Sequence, residues 1–264
     1  MTSKSLPHHH TRKRIQYPWE VCILATSTPT ILKRCTLHTL KSCGIPASKI
    51  TVFVQGKDEK QTFQEQLSQG TYNRIIASQD VGVTGLLRCI YSMYKVGTPL
   101  VLCRDSIKGL LQRKELTNSK SKPVKSLIPL FQSIFSVCAN EKVGLWGLSP
   151  SLSEKPDIRQ CSRGIYPISG AVWGVYNPGY IPEFSVSLET IPEIQSVFQC
   201  SRMYGGILQV NTISAQWSPE KHSDQHDAEI IRLIKLYPEY ATAVRSNTGK
   251  LELRIFQTKD YKEI

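Results

Sequence analysis

The chain has 264 residues, of which 40% are hydrophobic and 20% charged, enough apolar material for a packed core and too much for a disordered chain. No apolar run approaches the ~20 residues of a membrane span, and no signal-peptide pattern opens the chain. The formal net charge of +12 favours a polyanionic partner, either nucleic acid or a ligand carrying phosphates, although surface lysines that only keep the protein soluble give the same number.

The eight cysteines (22, 35, 43, 89, 103, 138, 161, 200) include no CxxC pair, and most fall in apolar stretches. Reduced thiols in a cytosolic or nuclear setting are expected, without a disulfide or zinc framework. Residues 1–18 read as a flexible basic tail, with Arg12, Lys13 and Arg14 clustered and His8-His9-His10 incidental.

In chain order, Glu20–Thr26 is a buried strand, followed by a helix that Ser27 or Thr28 caps, Pro29 opens and Gly44 stops. Ile50–Val54 is a second buried strand, and Asp58 opens a polar helix to about Gln69. A third strand covers Asn73–Ala77, and a helix carrying Leu86, Leu87, Ile90 and Tyr94 runs from Gly82 to Gly97. Leu100–Cys103 is the fourth strand. Four such units in about 90 residues predict a right-handed βαβ series and a mainly parallel sheet.

Beyond the fourth strand the polar step Arg104-Asp105-Ser106 leads into a helix-like continuation from Ile107. Residues 114–125 form a basic, Ser-rich surface loop, and Ser126–Asn140 an amphipathic helix. Val143–Leu148 is a strand, Ser149–Arg163 a long loop, and Tyr166–Asn177 a strand with two glycines that call for a close approach by backbone or ligand. Ile194–Tyr204 is helical, Ile207–Ile213 a strand, Ser214–Ser223 a loop and Asp227–Tyr237 a helix, before a short segment Ala241–Arg245 and a polar tail.

Asp105 sits where ligands bind in open α/β sheets, at the carboxyl end of a strand, although an N-cap role explains it equally. Asp227, at a helix start, suits a fixed general base and equally a first-turn acid. His222 and His226 add two metal-ligand types nearby. Arg113, Lys114, Lys120, Lys122 and Lys125 crowd one stretch and are the candidate nucleic-acid contacts. The Walker lysine, GxGxxG, GxSxG and HExxH are all missing, so P-loop, dinucleotide, hydrolase-elbow and zincin readings gain nothing.

The order ATSTPT, KITVFVQG, a helix with Arg88, GTPLVLCRDSIKGL, VGLWGLSP, YPISGAVWGVYN and HDAEIIRLI followed by AVRSN resembles the GT-A glycosyltransferases. Within them it is similar to the base-J-type and TET-associated branch of viruses, phages and some eukaryotes, over about residues 19–258. The resemblance implies a Rossmann-like, mainly parallel sheet flanked by helices, with a nucleotide-binding half (19–113), a basic loop (114–125) and a smaller mixed acceptor half (126–258).

It further implies a UDP-sugar donor, a divalent Mn or Mg ion and, in that branch, a hydroxylated DNA base as acceptor. Donor binding falls to Thr26, Ser27, Thr28, Arg88, Arg104, Asp105 and Gly170, and the base to Asp227. The metal falls to Asp105, with His222 beside it. Aligned on Ile107, the family's acidic metal motif keeps only its middle acid here, with Arg104 and Ser106 as neighbours; aligned one residue earlier, Asp105 is its last acid. Arg104 then supplies positive charge in place of the ion.

Two rival readings stand beside the transferase. One is a non-catalytic binding or interaction protein on the same scaffold, to which nucleic acid is a suitable partner, because fold does not establish function. The other is a Rossmann-like enzyme outside this family. Oligomeric state is open.

Overall fold

The computed structural model describes residues 18–113, 120–152, 160–179, 191–218, 224–247 and 249–256. Residues 1–17 of the tail expected over 1–18, Lys114, His222 and residues 153–159 of the expected loop Ser149–Arg163 lie outside the described residues.

The first four strands are β1 (Glu20–Leu24), β2 (Ile50–Gln55), β3 (Arg74–Ser78) and β4 (Pro99–Arg104). They pair in parallel in the order β3-β2-β1-β4. Between β1 and β2 run α1 (Pro29–Leu32), a π-helical stretch (Lys33–Leu37) and α2 (His38–Ser42). The Thr28 side chain accepts from the Ile31 amide and Pro29 occupies the first helical turn, so the helix starts where its punctuation puts it. The helix α3 (Gly56–Gln66) joins β2 to β3, and α4 (Gly82–Met93) joins β3 to β4.

The second half adds α5 (Ile128–Glu141), β7 (Leu145–Leu148), β8 (Cys161–Gly164), β9 (Val172–Tyr176), α6 (Pro192–Tyr204) and β10 (Ile207–Val210). It extends the sheet to eight strands in the order β3-β2-β1-β4-β9-β7-β10-β8. Strand β9 is antiparallel to both β4 and β7, β8 is antiparallel to β10, and β7 and β10 are parallel to each other. The protein is thus α/β with a large, mostly parallel sheet flanked by helices, as the strand–helix alternation predicts. Alternate residues of the buried strands feed two cores. Val21, Val52 and Val101 join Leu32, Leu40, Phe63 and Phe131 on one face. Cys22, Leu24, Phe53 and Leu102 join Leu86, Ile90, Val197 and Phe198 on the other.

The helix expected from Ile107 is instead a strand, β5 (Ile107–Arg113), in a three-stranded antiparallel sheet with β6 (Ser121–Pro123) and β11 (Ile213–Trp217). The would-be capping group, the Asp105 carboxylate, is engaged by another segment, and the Ile107 amide is taken by Thr36 Oγ1 at 3.0 Å. No helix start survives that arrangement. Strands therefore replace parts of the expected loops 114–125 and Ser214–Ser223. The remaining elements are α7 (Asp224–Leu236) and a hairpin of β12 (Ala241–Arg245) with β13 (Leu251–Ile255), the latter lying in the expected polar tail. Among the described residues, no helix is long and apolar enough to cross a membrane.

Candidate functional site

The strand order reverses direction between β1 and β4: the chain moves outward from β1 through β2 to β3, then returns to the other side of β1. A crevice at the carboxyl edge opens at such a switch point, where ligands bind in open α/β sheets. Here the two lips of that crevice are joined. Asp105 Oδ2 accepts from the backbone amides of Thr26 at 2.7 Å and Ser27 at 2.6 Å, and Oδ1 accepts from Ser27 Oγ at 3.0 Å.

The turn carrying Asp105 is held from the other side as well. Thr36 Oγ1, in the π-helical stretch, donates to the Arg104 carbonyl at 2.7 Å while accepting from the Ile107 amide, and Thr39 Oγ1 donates to the Ile107 carbonyl at 3.1 Å. Ser106 Oγ donates to the Ser218 carbonyl at 3.2 Å, tying the turn to the segment after β11. Asp105 is only 2% exposed. Thr28, beyond the clamp, is spent on the α1 cap.

Arg104 alternates with Leu100 and Leu102, so its side chain belongs to the face covered by α4, α6 and α7, and it is buried. Its amide donates to the Ala171 carbonyl at 2.9 Å, which brings Gly170 beside the end of β4. The close approach expected at the glycines of Tyr166–Asn177 is real at both. A methyl group on Gly170 would lie 2.8 Å from Glu193 Oε1, and one on Gly174 would enter the Trp146 indole. At Gly174 the intruder is core; at Gly170 it is a half-buried carboxylate in the first turn of α6.

Glu193, which meets Gly170 at this strand end, is not among the residues the sequence points to. Its one local signal, an acid just after a helix-opening proline, says nothing about which strand end it meets.

Helix α7 carries Asp227 in its first turn, half-buried. Its far end meets α6: Arg202 Nη2 donates to the Leu236 carbonyl at 3.2 Å, and the Arg202 guanidinium lies 4.7 Å from the Tyr237 ring centroid. That part of α6 is at the amino edge, because Tyr204 packs on Gly144 just before β7. The near end of α7 follows Ser218, which is bonded to Ser106 at the carboxyl edge. Both ends therefore put the first turn of α7 on the carboxyl side, and its Ile230 and Leu233 pack on the same face as Leu24 and Leu102.

The other expected site residues are dispersed. Arg88 Nε pairs with Asp80 Oδ2 at 3.1 Å, between α4 and the loop after β3. Arg113 is buried at the end of β5, which removes it from any exposed basic face. Lys120, Lys122 and Lys125 are exposed on and beside the edge strand β6.

The implied divalent cation does not fit the residues at this turn. Hard cations need oxygen ligands with free lone pairs, and the two oxygens of Asp105 already accept three hydrogen bonds. Arg104 and Ser106 flank it where further acids belong. Among the described residues, no three His, Cys, Asp or Glu side chains converge as a metal site.

Three of the thiols are made poor nucleophiles by burial. Burial pushes Cys103 and Cys200 up to about 12 and Cys161 up to about 11.

No known family profile matches the chain, and no curated protein matches it either. Among solved structures, one of a mycobacterial protein matches at a TM-score of 0.47 and 10% identity, over 90% of this chain and 83% of that one. Glucosyl-3-phosphoglycerate synthase from Mycobacterium tuberculosis, in complex with Mn2+, UDP and glucosyl-3-phosphoglycerate, matches at 0.47 and 9%, over 90% and 87%. A provisionally named nucleotide-diphospho-sugar transferase from Desulfovibrio desulfuricans matches at 0.40 and 12%, over 82% and 97%. None of these assigns the chain to a family.

Proposed function

We propose that this chain is a GT-A-like glycosyltransferase that moves a hexose from a nucleotide sugar, UDP-hexose in the first instance, to a hydroxyl acceptor. The observation that carries the reading is the hydrogen bond from the Arg104 amide to the Ala171 carbonyl, at 2.9 Å. It sets Gly170 beside the strand end at the switch point, which supports a donor pocket shared by the two halves.

In the reaction, Asp227 accepts the proton of the acceptor hydroxyl while its oxygen forms the new bond to the anomeric carbon. The bond from that carbon to the diphosphate oxygen breaks, and the nucleoside diphosphate leaves with the electron pair. Residues 19–113 supply the donor side and 126–258 the acceptor side. The exposed lysines 120, 122 and 125 suit a polyanionic acceptor such as a hydroxylated base in DNA.

A second reading, a non-catalytic binding protein on the same scaffold, is favoured by one observation: the acid expected at the donor site is consumed by internal hydrogen bonds. Incubating the protein with UDP-glucose, UDP-galactose and UDP-N-acetylglucosamine, with and without hydroxymethylated DNA, separates them. Release of UDP that depends on Asp227 supports the transferase. Absence of both turnover and nucleotide binding supports the second reading.

A further inference from the structure

We propose that this chain takes up its nucleoside diphosphate without a divalent cation, and that Asp105 is a staple between β1 and β4. The first half of this statement rests on the nucleotide-sugar reading above; the second does not.

The geometry at Asp105 is that of a group serving the fold. A carboxylate offers about four acceptor positions. Oδ2 spends its own on two successive backbone amides, Thr26 and Ser27, and Oδ1 takes the Ser27 hydroxyl. Successive amides converging on one oxygen form an anion nest, and here the anion it holds is internal. A diphosphate or a hydrated cation seeking the same place would have to displace that carboxylate from its partners.

The surroundings point the same way. Thr36 and Thr39 fix the backbone on both sides of Asp105, so the side chain is not free to swing outward with a moving loop. Arg104 and Ser106 stand on either side of Asp105 where the resemblance expects further acids, so the turn offers one carboxylate and no pair. Ser106 directs its hydroxyl to the Ser218 carbonyl, away from a metal-ligand role.

The test uses the full-length protein and two readouts. In calorimetric titration, UDP, with GDP and ADP in parallel, is added in excess EDTA and again in Mn2+. Equal affinity in the two conditions supports cation-independent uptake. Binding that requires Mn2+ overturns it and leaves the nucleotide-sugar reading standing. Absence of nucleotide binding in both conditions overturns the nucleotide-sugar reading, and with it the first half of the proposal.

The staple is read separately, from thermal melts in EDTA without nucleotide. Asp105→Asn lowers Tm by roughly 5–10 °C if the carboxylate holds the two strands together. An unchanged or higher Tm, the behaviour of a freed ligand-binding acid, overturns the staple. Should Asp105→Asn fail to fold, Ser27→Ala removes the hydroxyl bond alone and is expected to lower Tm by a smaller step; no shift in that variant overturns the staple as well.

Discussion

Ser27 and Asp105 lie 78 residues apart in the chain and are joined twice, Ser27 N to Asp105 Oδ2 at 2.6 Å and Ser27 Oγ to Asp105 Oδ1 at 3.0 Å. The two bonds close the gap between the loop after β1 and the turn after β4, at the point where the strand order reverses. A hydrogen bond to a charged group contributes about 1.5–3 kcal/mol. Ser27→Ala is therefore expected to cost about 2 kcal/mol, read as a lower urea midpoint with an unchanged denaturant slope.

Gly170 and Gly174 make opposite demands on an added methyl group. At Gly170 the methyl meets the far end of the flexible Glu193 side chain, which can turn away, so Gly170→Ala is expected to cost under about 1 kcal/mol in stability. It nevertheless moves a carboxylate at the proposed sugar side. Transfer should fall by at least about tenfold, which corresponds to about 1.4 kcal/mol in the barrier. At Gly174 the methyl enters the fully buried Trp146 ring, which has no room to yield. Gly174→Ala is expected to cost about 3 kcal/mol or to prevent folding. Equal melting temperatures for the two variants would refute the distinction.

Asp227→Asn keeps the shape of the side chain and removes its capacity to accept a proton. Turnover should drop by about 100-fold or more while nucleotide affinity stays as in the parent. Single-turnover transfer and calorimetry on the same preparation check both parts. Unchanged turnover would remove Asp227 from the mechanism.

At the opposite edge of the sheet, the Arg202 hydrogen bond to Glu239 holds the Glu239 carboxyl below its usual range. A folded-state value below the unfolded one means that the pair stabilises at pH values above the unfolded carboxylate pKa, near 4.3, and loses its contribution as pH falls through the folded one. Both side chains are more than a third exposed, so solvent screens the pair and the effect is small. Glu239→Gln should lower stability slightly near pH 7 and flatten the acid limb of the stability–pH curve, so that variant and parent converge below about pH 4. A loss that persists undiminished at low pH, or no loss near pH 7, would contradict it.

Much of the first half was legible because its helix signals are local. Thr28 and Pro29 start a helix and Gly44 ends one whatever the rest of the chain does. The antiparallel elements were not legible. β5, β6 and β11 lack a strand signature of their own, and each is held as a strand by pairing with another: Ile213 opposite Gln112, Gln112 opposite Lys122. Ile107–Gln112 has no pattern that excludes a helix, and the group that would have capped one was bonded elsewhere.

By itself, the order of apolar runs, prolines and glycines determined the mainly parallel sheet, its two helical layers and the position of Asp105 at a strand end. Those features follow from backbone propensity and burial, which act over a few residues at a time. Whether Asp105 faces a ligand or the protein's own amides, whether Gly170 borders backbone or a carboxylate, and whether Arg113 meets solvent were decided only by the fold. Each depends on a partner tens of residues away, and hydrogen bonding and packing recognise distance in space rather than distance along the chain.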